Sequence, residues 1–287
     1  QKQPMPPINF CIKFFNLVIN INENTKMIKN QNHLGGICMI LSVLFFSLMD
    51  VLIKITHEYD VGQVMFSRAL FGLIPIFFLI PRERLKNFYK TKYVGLHFYR
   101  SFVGAIAMYA IFVGLRNLEL AEVTSMAFSG PIWVVIFSIL FLGEKIRAKR
   151  WIAVFLGFIG VLIISKPGFE NLNFYYIYPV IFTLGFAGVS IFIRKLALVG
   201  EPVYLIAFYF SVCSAIFGLF TLPFGGWLVP TFYDLGLLIL IGLFGSVANL
   251  LLTKSYQLAE VSLTTPLKYL SLVFAIIFGF YLFNEIP

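Results

Sequence analysis

LAEVTS at residues 120–125 and LAEVSL at residues 258–263 open on the same four letters, 138 positions apart. Four letters alone prove little, so the test is whether their surroundings return at the same offset. Nine mostly apolar stretches of roughly 20 residues run through the chain, at 34–54, 61–80, 94–116, 122–142, 150–166, 174–193, 203–222, 234–257 and 260–283. Moved by 138, the starts of the first four fall on the starts of the last four to within the usual boundary error of about 2–4 residues. Both copies also close alike, with FLGEKI at 141–146 and LFNEIP at 282–287. Moved likewise, the start of the fifth stretch predicts a counterpart from position 288, one past Pro287.

The chain therefore reads as a duplicated five-helix unit. Residues 1–33 form a tail, 34–168 the first unit and 174–287 a second unit short of its last helix. The expected fold is an all-α membrane protein, a 5+5 inverted-repeat helix bundle with ten spans when complete and nine in this chain. Because five is odd, the two units enter the bilayer from opposite faces. Secondary transporters use that arrangement to build a site near the midplane with two exchangeable gates.

Composition agrees with a life in lipid. The chain is 60% hydrophobic and 12% charged, with a mean hydropathy of +0.90, against about 45–50% apolar and about 25% charged in soluble domains. A helix rising about 1.5 Å per residue needs about 20 residues to cross a hydrocarbon core about 30 Å thick. Backbone groups in that core must bond internally, which favours helices for runs of this length. So few residues remain outside the spans that a soluble catalytic domain has no room.

The net charge of +9 would fit a nucleic-acid surface if the basic residues shared one face. Instead they sort by membrane side, and no nucleic-acid partner is expected. With the tail in the cytoplasm, 16 Lys and Arg lie in inner segments and three (Lys54, Arg116, Lys166) in outer ones. This asymmetry is the positive-inside signature of a cytoplasmic N-terminus. Cys11, Cys38 and Cys213 share no metal-type spacing, and His33, His57 and His97 stand apart. The sequence holds neither a GxxxxGK[ST] phosphate loop nor an HExxH motif, so neither metal nor cofactor is expected and ATP-driven transport is disfavoured. The run INFCIKFFNLVINI at 8–21 is too short to span. It reads as a disordered or non-native stretch ahead of a start at Met27, or as an interfacial helix.

AEVTSMAFSGPIWVVIFSILFLGEKI at 121–146, followed by RWIAVFLGFIGVLIISKPG at 150–168, resembles the EamA-type carriers of the drug/metabolite transporter superfamily. Those carriers have a small-residue, Pro-containing fourth helix, a Gly-Glu or Asn-Glu turn and a Gly-rich fifth helix. TPLKYLSLVFAIIFGFYLFNEIP at 265–287 is similar to S-adenosylmethionine uptake carriers of intracellular bacteria. The resemblance runs from about residue 34 to the end. It implies a multi-pass carrier of the bacterial inner membrane.

Charges inside apolar runs are the candidate site. A Lys, Arg or Asp at a helix centre costs about 2.5–3.5 kcal/mol on insertion scales, so each needs a partner, water or a route to the headgroups. Arg68 lies roughly 10 Å below one boundary and Lys268 roughly 12 Å from the other. Both point to a wet cavity and to an anionic group on the cargo. Arg100, roughly 9 Å from its boundary, reads as an interfacial anchor that snorkels. Asp50 stands four residues before Lys54, a spacing that serves either a structural ion pair or proton coupling. Pro131, after Ser129 and Gly130, and Pro266 interrupt equivalent helices, freeing carbonyls for cargo or for neighbouring hydroxyls. Tyr109, Trp133 and Tyr269 are placed to wall a pocket, and Asn249, deep in its span, must bond across helices or to cargo.

The expected function is secondary transport of small metabolites by alternating access, S-adenosylmethionine or amino-acid-like solutes among them. Export of drugs or toxic metabolites is the alternative, and a membrane-embedded enzyme acting on a lipid-linked substrate the alternative of another class. No enzyme activity is expected, since no clustered acid, base or metal set stands at one interface. The expected partners are the substrate, the bilayer, protons or a counter-substrate, and a second copy in a homodimer.

Overall fold

A computed structural model describes residues 28–118, 120–144, 148, 151–152, 154–156, 158–159, 174–224 and 226–283. Among these residues there is no strand. The helices are α1 (Ile28–Ile55), α2 (Val61–Phe78), α3 (Val94–Asn117), α4 (Leu120–Ala127), α5 (Gly130–Leu142), α6 (Ile177–Leu198), α7 (Val203–Leu219), α8 (Phe232–Leu258), α9 (Val261–Thr264) and α10 (Leu270–Phe283), with a 3-10 turn over Thr265–Tyr269 between the last two. Eight stretches among the described residues are long and apolar enough to cross a membrane. Each coincides with an apolar run read from the sequence. The expected span at 150–166, the tail up to residue 27 and the closing residues 284–287 lie outside the described residues or are only partly described.

Two of the expected spans are each built from two pieces. α4 stops at Ala127 and α5 starts at Gly130, with Pro131 in its first turn, where the missing N–H costs nothing. The last span runs α9, 3-10 turn, α10, with Pro266 at the start of the tight turn. Hydroxyls take carbonyls at both breaks: Ser129 Oγ donates to the Met126 carbonyl at 2.9 Å and Thr265 Oγ1 to that of Val261 at 2.6 Å.

Close packing sets the rest. α1 lies along α8, α3 along α6, and α2 along α7; α2 also meets α8, and α3 meets α7. This set of pairs is unchanged when α1, α2 and α3 are exchanged for α6, α7 and α8. With no hydrophobic drive between helices in lipid, small residues and hydroxyls make these contacts. Ser42 Oγ donates to the Ala248 carbonyl at 2.8 Å, Ser255 Oγ to Gly35 at 2.8 Å and Ser246 Oγ to Gly72 at 2.6 Å.

Each end of the bundle carries a polar clasp between helix ends and loops. Where α1 finishes, Gln63 exchanges two hydrogen bonds with the Leu228 backbone, at 2.6 and 2.9 Å. Beside it Asp60 accepts from Thr221 at 3.2 Å, and Tyr59 donates to Asp234 at 2.7 Å. That bond to a carboxylate holds the Tyr59 phenol above the usual tyrosine range. At the opposite end Glu201 accepts from Thr91 at 2.6 Å and meets His97 Nε2 at 3.3 Å, while its carbonyl accepts from Gln257 at 2.8 Å. Gln63 and Glu201 are 138 residues apart, the offset of the repeat.

Candidate functional site

Between the two sets of spans lies a cavity of about 160 Å³. Its walls are Phe, Val, Met and Leu side chains, and into them project Asp50 from α1, Arg68 from α2, Arg100 from α3, Asn249 from α8 and Lys268 from the 3-10 turn. Three bases against one acid leave the chamber electropositive.

Arg68 is 7% exposed. Its guanidinium donates to two thioethers, Met49 Sδ at 3.2 Å and Met108 Sδ at 2.7 Å, and to the Gly245 carbonyl at 3.4 Å. Thioether sulfur is a weak acceptor, so Arg68 is lodged rather than neutralised. Asp50 lines the same chamber and attracts both Arg68 and Lys268. The Lys268 Nζ stands 3.2 Å from the centre of the Phe186 ring, a cation–π seat for a desolvated ammonium. The tight turn after Pro266 carries this lysine inward.

Arg100 departs from the expected snorkelling anchor. It is 1% exposed, faces the cavity and donates from Nη2 to Asn249 Oδ1 at 2.9 Å. Its guanidinium lies 4.0 Å from the Phe210 ring centre, and the same ring is 5.6 Å from Arg68. Nε and Nη1 of Arg100 are buried without a hydrogen-bond partner. Depth alone cannot separate these outcomes: a side chain one and a half turns from the boundary reaches the headgroups only if its helix face is turned outward. The Phe210 seat carries no sequence signal, being one of 34 phenylalanines.

The remaining expected site residues are placed as follows. Pro131 lines the cavity. Trp133, two residues on and so roughly 200° around the helix, is 38% exposed and stacks edge-on with Phe137. It does not wall the cavity. Tyr109 lies one step off the face that carries Met108 and Phe112, and its ring meets Phe217 at 6.0 Å. Tyr269 turns from its neighbour Lys268, packs on Phe128 at 5.4 Å and donates to the Val154 carbonyl at 3.1 Å. Ser129 spends its hydroxyl on Met126. Lys54 sits with His57 and Arg116 in a separate hollow at the end where α1 finishes, away from the chamber that holds Asp50.

Comparison with known proteins gives a consistent picture. The model of the EamA-like transporter family matches residues 33–166 and again 173–287. A protein of Rickettsia bellii named S-adenosylmethionine uptake transporter is 30% identical over 254 residues, covering 86% of this chain and 84% of that protein. A protein of Pseudomonas aeruginosa named pseudopaline exporter CntI is 26% identical over 257 residues, covering 88% and 89%. A crystal structure of another protein superposes with a TM-score of 0.68 at 16% identity, covering 88% of this chain and 89% of that one, a likeness of fold.

Proposed function

The chain belongs to the EamA-like transporter family, and from that premise we propose that it moves a small charged metabolite through the central cavity by alternating access. Its cargo class on this reading is S-adenosylmethionine and related amino-acid-like solutes. The observation that carries it is the gathering of Asp50, Arg68, Asn249 and Lys268 at one chamber between the two sets of spans. Four polar side chains on four elements of an apolar bundle would be costly there without a polar occupant. The reciprocal packing of the two sets supports an inverted repeat, which supplies the two alternative openings.

Asp50 answers the cationic part of the cargo or carries a coupling proton, and Arg68 and Lys268 supply the positive field that draws its anionic part into the chamber. A cavity of about 160 Å³ is smaller than the roughly 300–1,000 Å³ of ligand-filled pockets, so a nucleoside-sized cargo requires the chamber to widen. The excess of Lys and Arg in the loops of one side supports an N-terminus in the cytoplasm of a bacterial cell.

The relative named as an uptake carrier favours import, and the relative named as an exporter favours the second reading, outward movement of a drug or toxic metabolite. Purified full-length protein in liposomes preloaded with unlabelled S-adenosylmethionine is expected to accumulate the labelled compound by counterflow. An Arg68→Ala, Lys268→Ala double variant is expected to lose that exchange by at least about a hundredfold, as removal of two charge-assisted contacts implies. Wild-type exchange by the double variant would sink the assignment of the site. Exchange of no amino-acid-like solute by the wild type would sink the cargo class.

A further inference from the structure

We infer that Arg100, held by Asn249, is the docking point for a carboxylate of the cargo, with the cationic part of the same molecule directed toward Asp50. This deepens the transport reading above and rests on it. Arg100 is 1% exposed, and two of its three guanidinium nitrogens, Nε and Nη1, are buried with no acceptor. Every donor of a buried guanidinium left open costs free energy, and more for a charged group than a neutral one. A charged group buried with open donors beside a polar chamber is suited to an acceptor that a ligand brings.

The surroundings specify what fills it. An arginine offers only donors, so the missing partner is an acceptor. Among the described residues the acceptor that meets this guanidinium is the amide oxygen of Asn249, and no carboxylate bonds to it. The partner is therefore an oxyanion that arrives with the ligand. Asn249 Oδ1 fixes the Nη2 edge at 2.9 Å, and the Phe210 ring covers one face at 4.0 Å. Both hold the guanidinium still, leaving its other nitrogens for the incoming group. A planar, singly charged carboxylate suits this planar fork, and the negative charge of Asp50 in the same chamber disfavours a phosphate dianion. Arg100 is thus a binding residue and Asn249 a positioning residue.

Paired compounds that differ only in the carboxylate test this. In liposomes containing the full chain, wild type is expected to take S-adenosylmethionine with a KM at least about tenfold below that of its decarboxylated analogue, the worth of one charge-assisted bond. In Arg100→Gln the two KM values are expected to converge. Asn249→Asp builds an internal carboxylate against Arg100, so it should raise the melting temperature of the protein and erase the preference too. A wild type indifferent to the carboxylate, or an Arg100→Gln that keeps the preference, overturns the inference while leaving transport intact. If wild type carries neither compound, only the cargo class falls. The site is then judged by thermal unfolding in detergent micelles with amino acids against their amides, and with inorganic phosphate. Stabilisation of wild type by the acid form but not the amide, absent in Arg100→Gln, upholds it. Equal response to acid and amide, or stabilisation by phosphate alone, overturns it.

Discussion

Gly104 has no side chain, and that one absence positions two cations. A Cβ built there would stand 2.9 Å from Phe210 Cε2, so only glycine lets the ring come in beneath Arg100 and Arg68. Gly104→Val is expected to push Phe210 aside, raise the KM for cargo by about tenfold or more and lower the melting temperature only slightly. Transport kinetics beside a melting curve in micelles would separate the two effects. Individual residues were unequally legible. Asp50, Arg68, Asn249 and Lys268 stand out of the sequence because charge or amide in an apolar run has a high cost in lipid. The direction a side chain faces does not stand out, because the rotation of a helix about its axis is set by neighbours. Hence Arg100 reads as an anchor although it faces the chamber, and Trp133 reads as a wall although it faces outward. Phe186 and Phe210 are chemically ordinary and became seats for cations only through contacts distant in sequence.

The elements were the most legible part, since a run of about 20 apolar residues allows few structures in lipid. The breaks at Pro131 and Pro266 were likewise visible. The clasps were not, because single polar residues in short loops carry no period. Gln63 grips the Leu228 backbone at one end, and Glu201 grips Thr91 and His97 at the other. Each holds the end of one set of spans against a loop of the other. Gln63→Ala removes two hydrogen bonds, worth about 1–3 kcal/mol together, and is expected to bias the carrier toward opening at its own end. Glu201→Ala should bias it toward the other. Maleimide labelling of single cysteines placed along α3 would report the bias, and the two variants should change opposite halves of the helix. Identical labelling patterns would show that the clasps do not govern access.

At the scale of the molecule, four repeated letters foreshadow a packing pattern that survives exchange of one set of helices for the other. The two sets are nonetheless chemically unequal where they meet the cavity, for the first contributes Asp50, Arg68 and Arg100 and the second Asn249 and Lys268. This inequality has an electrical consequence. The bases are bolted to helices that remain in the bilayer through a cycle, so the charge that crosses the field is that of the cargo and any companion ion. A sulfonium amino acid with one net positive charge gains about 2.3 kcal/mol per 100 mV of interior-negative potential, whereas a zwitterion gains nothing. Clamping liposomes with potassium and valinomycin should therefore accelerate entry of the former and leave the latter unmoved; a voltage response shared by both would mean that a companion ion travels with the load.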